Sequence, residues 1–194
     1  MELVRCPWCV GDPLYETYHD TEWGTPIGDD RTHFEFLVLE SAQAGLSWIT
    51  ILRKREAFRR AYAGFDWEKV ARYGEKEKEA LLANAGIIRN RKKIEASLVN
   101  ARRFQEVREQ YGSFARYLWG FVDGVPVVGH WKSLEQVPSR TELSDRIAKD
   151  LKLRGFQFIG SVIVYSHLQA TGIVNDHLEN CFRYRELIER NRID

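Results

Sequence analysis

The sequence of this 194-residue chain predicts an all-α fold. Three observations carry that expectation. Beyond residue 30, apolar side chains recur at spacings of three and four. Capping residues and glycines punctuate those stretches where helices should begin and end. The one β-branched run, residues 161–171, has no partner strands elsewhere, and its length of about three helical turns suits a buried helix.

Residues 1–28 are rich in Pro, Gly and Asp and are expected to be irregular, with one short helix near Tyr15. A helix starting at residue 30 places Phe34, Leu37, Val38 and Ser41 on one face and breaks at Ala44-Gly45-Leu46. Ser47 is the expected cap of the next helix, which carries Ile51, Leu52 and Phe58 and stops near Gly64. Asp66 caps a short helix through Tyr73, and residues 75–84 form another that ends before Gly86. Ile94, Leu98, Ala101, Phe104, Val107 and Tyr111 make one stripe of a longer helix. Ser113 caps a helix through Phe121, residues 122–140 form a surface loop, and Ser144 caps a helix that runs to Leu153 with Gly155 as its stop. The whole chain, 1–194, is expected to form one domain of two helical lobes.

Composition narrows the function classes. The 29 basic and 28 acidic residues nearly cancel, so a nucleic-acid face must arise from local clustering. No apolar run is long enough to span a bilayer, which excludes a helical membrane protein. The N-terminus lacks the pattern of a secretory signal, so a cytoplasmic location is expected. Three cysteines, an odd number, then point to metal binding or free thiols in place of a disulfide framework.

Two constellations carry chemistry. His177 and Cys181 stand four apart, the spacing that stacks two ligands on one helix face. Cys6, Cys9 and His19 offer further donors at the other end of the chain, so a zinc clamp tying the two termini together competes with buried thiols and satisfied histidines. His33, His130 and His167 are expected to be ordinary surface or core residues. Glu40 interrupts an apolar run, and a carboxylate there is met by a substrate with amino groups or positive charge, or else serves as an N-cap, a buried salt bridge or a solvated edge. A third element, residues 81–94, predicts a helix, a turn at Gly86 and a helix, with Arg89, Arg91, Lys92 and Lys93 beside the second N-terminus, where phosphate binds readily. A solvated basic face is the plainer account of the same residues, as it is for Arg53-Lys-Arg55.

The blocks Cys6-Pro-Trp8, Asp12-Pro-Leu-Tyr15, Tyr18-His-Asp, Glu22-Trp-Gly24, Leu39-Glu40, Gln43-Ala-Gly-Leu-Ser-Trp48, Ala85-Gly-Ile-Ile-Arg89 and Asn175-Asp-His177 together resemble the 3-methyladenine DNA glycosylase I family. The resemblance extends over almost the whole chain. It implies a helix-hairpin-helix glycosylase fold in which one structural zinc, on Cys6, His19, His177 and Cys181, joins the N- and C-terminal segments. It puts the base pocket at Trp8, Tyr15, Tyr18, Glu40 and Trp48, and the duplex-probing turn at Gly45 and Leu46. Cys9 departs from the family pattern, as a rival ligand or a bystander. The implied partner is double-stranded DNA containing alkylated adenine, bound by a monomer without membrane contact. The implied reaction is hydrolysis of the N-glycosidic bond after the base is flipped out. A non-catalytic zinc module that senses lesions, or a zinc hydrolase with an open metal position, would share some of these residues.

Overall fold

A computed structural model of the chain describes residues 3–190. The sequence expectation of a mostly helical fold holds. The helices are α1 (Pro13–Thr21), α2 (Asp30–Gln43), α3 (Trp48–Ala61), α4 (Trp67–Ala71), α5 (Glu75–Ala83), α6 (Arg91–Tyr111), α7 (Phe114–Trp119), α8 (Glu142–Leu153), α9 (Ser161–Ala170) and α10 (Phe182–Arg190).

Helix α2 lies at the centre, packed by α3, α6, α7 and α9. Its burial is not confined to the predicted stripe: Phe36, Leu39, Glu35 and Glu40 are buried along with Phe34, Leu37 and Val38. A helix surrounded in this way loses the amphipathic pattern of a surface helix. It must also neutralise its acids inside the protein. Asp30 accepts from Arg108 and from the Ala115 amide, and Glu35 accepts from Arg55 and Arg59.

Several boundaries follow the expected caps. Asp66 accepts from the Lys69 amide and Ser113 from the Arg116 amide. Two caps differ. Helix α8 starts one turn earlier than expected, at Thr141, whose hydroxyl accepts from the Ser144 amide while Ser144 returns the bond to Thr141. Ser47 turns its hydroxyl to Thr50 Oγ1 at 2.7 Å and caps no amide.

Residues 161–171 are helical, as α9, and the surface loop of 122–140 contains a feature that pattern did not foretell. Val127–Val128 (β1) pairs in parallel with Val174–Asn175 (β2). The pairing holds this loop against the end of α9. Gly129 follows, where a Cβ would sit 2.2 Å from Trp131 Nε1 and 2.3 Å from Asp176 Oδ1, so only glycine fits.

The first residues are more ordered than expected. Pro7–Cys9 forms a single 3₁₀ turn, and Asp12 caps α1 by accepting from Leu14 and Tyr15. Tyr18 and His19 are buried. The N-terminal segment thus lies across α2, α3 and the stretch leading into α10.

Candidate active site and metal centre

The pocket forms where α1, α2, α3 and α9 meet. It is a cavity of about 210 Å³ whose lining includes Trp8, Tyr15, Tyr18, Glu40 and Trp48, all five nominated residues. Rings make the walls: Trp8 lies 4.9 Å from Tyr15 and 5.1 Å from Trp23, and Tyr18 lies 5.6 Å from Trp48 between ring centroids. Trp48 in turn stacks on Phe36 at an interplanar angle of 18°.

Glu40 is 3% exposed. Its Oε2 lies 2.9 Å from His167 Nδ1. Its Oε1 has no hydrogen-bond partner among the described residues, and neither has Trp48 Nε1. A buried acceptor and a buried donor, both on pocket-lining side chains, therefore go unpaired, each at a cost of ~1–3 kcal/mol. Burial drives the Glu40 carboxyl well above the usual carboxylate range. Burial also holds His167 down to about 3.

Pattern missed His167, classed as an ordinary histidine, because its spacing to Glu40 is 127 residues and no local rule links them. It also left out Trp23, Gln43, Gln169 and Asp176, which line the same cavity. Asp176 is the second pocket acid, but it is committed: Trp131 Nε1 donates at 2.7 Å, Gln169 Nε2 at 2.8 Å, and the Tyr165 hydroxyl donates as well.

Next to the pocket, α2 ends at a turn in which Gly45 takes a φ of +81°. That left-handed turn holds Leu46 outward, 42% exposed. Lys93 braces it from the start of α6: the ammonium donates to the carbonyls of Ala42 at 2.9 Å and Ala44 at 2.5 Å. The predicted hairpin of α5 and α6 is present, with Arg89 and Lys92 exposed. Its amides are less available than expected. Gly86 N–H donates to Asn84 Oδ1 and Lys93 N–H to Asn90 Oδ1, while Lys54 donates to the carbonyls of Ala85 and Gly86.

A second hairpin joins α8 to α9. Gly155 supplies a φ of +86°, and Asn100 holds the turn by donating to Gln157 O and accepting from Gln157 N. The first turn of α9 has no side-chain cap, since Gly160 stands at the N-cap.

Cys6, His19, His177 and Cys181 converge in a buried cluster whose ligand atoms all lie within 4.8 Å of one another. The i, i+4 pair does not sit on a helix as expected: residues 176–180 are irregular, and the Cys181 amide donating to Leu178 O makes the turn into α10. The sulfur-to-nitrogen separations are 3.7, 3.4 and 3.5 Å. A tetrahedral zinc with its usual thiolate and imidazole bond lengths sets such edges at roughly 3.6 Å. The remaining ring nitrogens are anchored, His19 Nδ1 by Asp20 Oδ1 at 2.8 Å and His177 Nε2 by the Trp23 carbonyl at 3.0 Å. This is the outer support that metal-binding histidines receive. Cys9 is outside the cluster, its thiol donating to the Cys6 carbonyl. Four protein donors are the number a tetrahedral structural metal site takes.

Fold and site together define a helical protein with an aromatic pocket whose indole faces and free carboxyl oxygen suit a flat, electron-poor ring. Known proteins narrow that class. The profile of the methyladenine glycosylase family matches residues 8–184, and the chain belongs to that family. It is 46% identical to DNA-3-methyladenine glycosylase 1 of Escherichia coli, over 94% of this chain and 97% of the relative. A crystal structure of 3-methyladenine DNA glycosylase I superimposes with a TM-score of 0.88 at 50% identity, covering 92% of this chain and 98% of the other. A single-site variant of 3-methyladenine DNA glycosylase I, in complex with 3-methyladenine, gives 0.89 at 37% identity over 93% and 97%.

Proposed function

We infer that the protein is a base-excision repair glycosylase that hydrolyses the bond between 3-methyladenine and deoxyribose in alkylated DNA. The observation that carries this reading is the unpartnered Glu40 Oε1 in a pocket walled by Trp8, Tyr15, Tyr18 and Trp48. A flipped 3-methyladenine would supply what that oxygen lacks, an amino group and positive charge.

An adenine in duplex DNA is stacked out of reach, so the nucleotide must rotate into the pocket. Leu46 is the wedge that fills the gap it leaves. Methylation at N3 makes the base a delocalised cation, and each aromatic face then favours it over adenine by about 0.5–2 kcal/mol. Cleavage proceeds as the C1′–N9 electron pair passes to the ring, which departs neutral. Water adds to C1′ and loses a proton. Only contacts that strengthen along this path accelerate it, so Glu40 acts in recognition as much as in rate.

Several features support a DNA face around the pocket mouth. Arg89 and Lys92 supply charge beside α6. The uncapped start of α9 is a better phosphate site than the α6 start, because Asn84 and Asn90 already occupy amides in the α5–α6 hairpin. The substrate is double-stranded DNA, the active species a monomer, and the two hairpins are the helix-hairpin-helix elements. Among the described residues no helix is long and apolar enough to cross a membrane, in keeping with work in the cytoplasm.

Cys6, His19, His177 and Cys181 hold one structural zinc, which contributes folding energy and no chemistry. Its contribution to the site is positional: Trp8 packs on His19 and Trp23 on His177, at 5.2 and 4.5 Å. Chromatography of bases released from alkylated duplex DNA tests the activity. Wild-type protein should release 3-methyladenine, and absence of that product would exclude the reading.

A further inference from the structure

Away from the pocket, in the turn between α8 and α9, one ring is out of place. Phe158 is 39% exposed. Among the described residues it is the only phenylalanine, tyrosine or tryptophan that is exposed. Its backbone takes a φ of +53°. A bulky L-residue is strained in that left-handed region, and glycine is not. Gly155, earlier in the same turn, takes +86° at no steric cost.

Phe65 has a similar φ of +57°, but its ring is fully buried, and packing offsets the strain. Phe158 recovers much less. Its neighbours do the packing, since Phe156 and Ile159 are buried. Buried Asn100 grips the Gln157 backbone through both its amide and its carbonyl, so the turn is fixed without the ring. Strain that the fold does not need points to use of the ring outside the fold.

The surroundings of the ring indicate what it meets. Lys93 Nζ lies 6.0 Å from its centre, and the same ammonium holds the carbonyls beneath the Leu46 turn. A groove lined by Leu46, Val162 and Ile163 runs between that turn and α9. Lys149, Lys152 and Ser161 line a second groove at the start of α9, where the acid, Asp145, faces Arg140 at 3.6 Å. The first amides of α9 have no side-chain cap. Phe158 thus stands between an apolar wedge and a cationic, amide-lined phosphate site. Ser161 is about 7.5 Å along α9 from Ser166, which lines the base pocket. That is about two nucleotides of one strand, at about 3.4 Å each. The strand passing Phe158 is therefore the one that carries the flipped base.

We propose that Phe158 is a DNA-contact residue that packs its ring on a deoxyribose of the damaged strand, next to the phosphate at the start of α9. This rests on the reading of the protein as a DNA glycosylase. The sugar offers an apolar C–H face between charged phosphates, and the ring covers it without reading a base. More than half of Phe158 is covered and its ring faces Lys93, which suits contact along a strand and not insertion between bases. Leu46 then enters the stack while Phe158 holds the strand from which the base has turned out.

The test is binding to a duplex that carries a tetrahydrofuran abasic analogue, with 2-aminopurine beside it to report unstacking. Phe158→Asn removes the ring but keeps a residue that tolerates left-handed φ. Its Kd should rise about five- to tenfold, the weight of the ring surface left exposed. Its Tm should stay within a few degrees of wild type. At saturating protein its 2-aminopurine fluorescence should equal that of wild type, whereas Leu46→Ala should lower it. Phe158→Tyr keeps the ring and should bind as wild type does. If Phe158→Asn folds poorly, Phe158→Gly removes the ring and relieves the strain, with the same readouts expected. Wild-type Kd in the variants that lack the ring would mean that it only packs, and would overturn the proposal. Loss of the fluorescence signal in those variants would make Phe158 a second wedge and would also overturn it. Tight binding of the duplex without release of 3-methyladenine from alkylated DNA would sink the glycosylase reading instead, so the two failures are distinct.

Discussion

At the Cys6–His19–His177–Cys181 cluster the protein supplies a partner for every polar atom, whereas at Glu40 it stops one hydrogen bond short. Both groups are buried and both draw on residues far apart in the chain. In the cluster, thiols and imidazoles face one another, and Asp20 and the Trp23 carbonyl anchor the outer nitrogens. Around Glu40, His167 and His33 anchor one oxygen only, and Oε1 and the nearby Trp48 Nε1 remain unpaired. A closed polar cluster stabilises; an open one stores an unmet interaction for a ligand to complete. The two are also joined, because Trp8 and Trp23 pack on the cluster with one side and line the pocket with the other.

Substitutions should separate the two regions. The largest effect is expected for Cys181→Ala, which removes one of the four donors of the closed cluster. Zinc should be lost, stability should drop by about 5 kcal/mol or more, and Tm should fall by about 10 °C or more. Metal analysis and calorimetry check this. Equal melting of variant and wild type, with metal in neither, would show that the cluster holds no zinc and does not clamp the termini.

Glu40→Gln comes next and should do the reverse. The amide can donate to His167 Nδ1 as a protonated carboxyl does, so Tm should hold. Loss of a charge-assisted hydrogen bond to the cationic base should lower kcat/KM by about 10–100-fold. A fall in Tm comparable to that of Cys181→Ala would erase the distinction between open and closed clusters.

Lys93→Met is expected to cost about 1–3 kcal/mol, since the Ala42 and Ala44 carbonyls lose their buried donor. Because those carbonyls hold the Gly45–Leu46 turn, excision from duplex DNA should suffer more than excision from single strands. Leu46→Ala should have the smallest effect on stability, within about 0.5 kcal/mol for an exposed side chain. Its cost should appear only with duplex substrate, as a drop on the order of tenfold, because a shortened apolar wedge fills less of the space the flipped base vacates.

Much of the helical framework was legible in the residue pattern. The stripe from Ile94 to Tyr111 and the caps at Asp66 and Ser113 are local features, set by side chains three or four positions apart. The five pocket residues came from resemblance; of these, only Glu40 stood out unaided, because an acid within an apolar run breaks a local rule. The cap of α8 falls at Thr141, one turn before Ser144, because the two form a reciprocal pair and either hydroxyl suits a cap. The pairing of β1 with β2 leaves no mark in the sequence because two-residue strands have no readable period.

The sequence by itself therefore determined where helices run, which acid is out of place, and which thiols and imidazoles are on hand. Tertiary structure alone decided that Cys9 stays outside the cluster, that His167 is the partner of Glu40, and that Asp176 is already committed. The reason is physical: helix signals act over one or two turns, while a hydrogen bond between residues 40 and 167 exists only because α2 and α9 pack side by side.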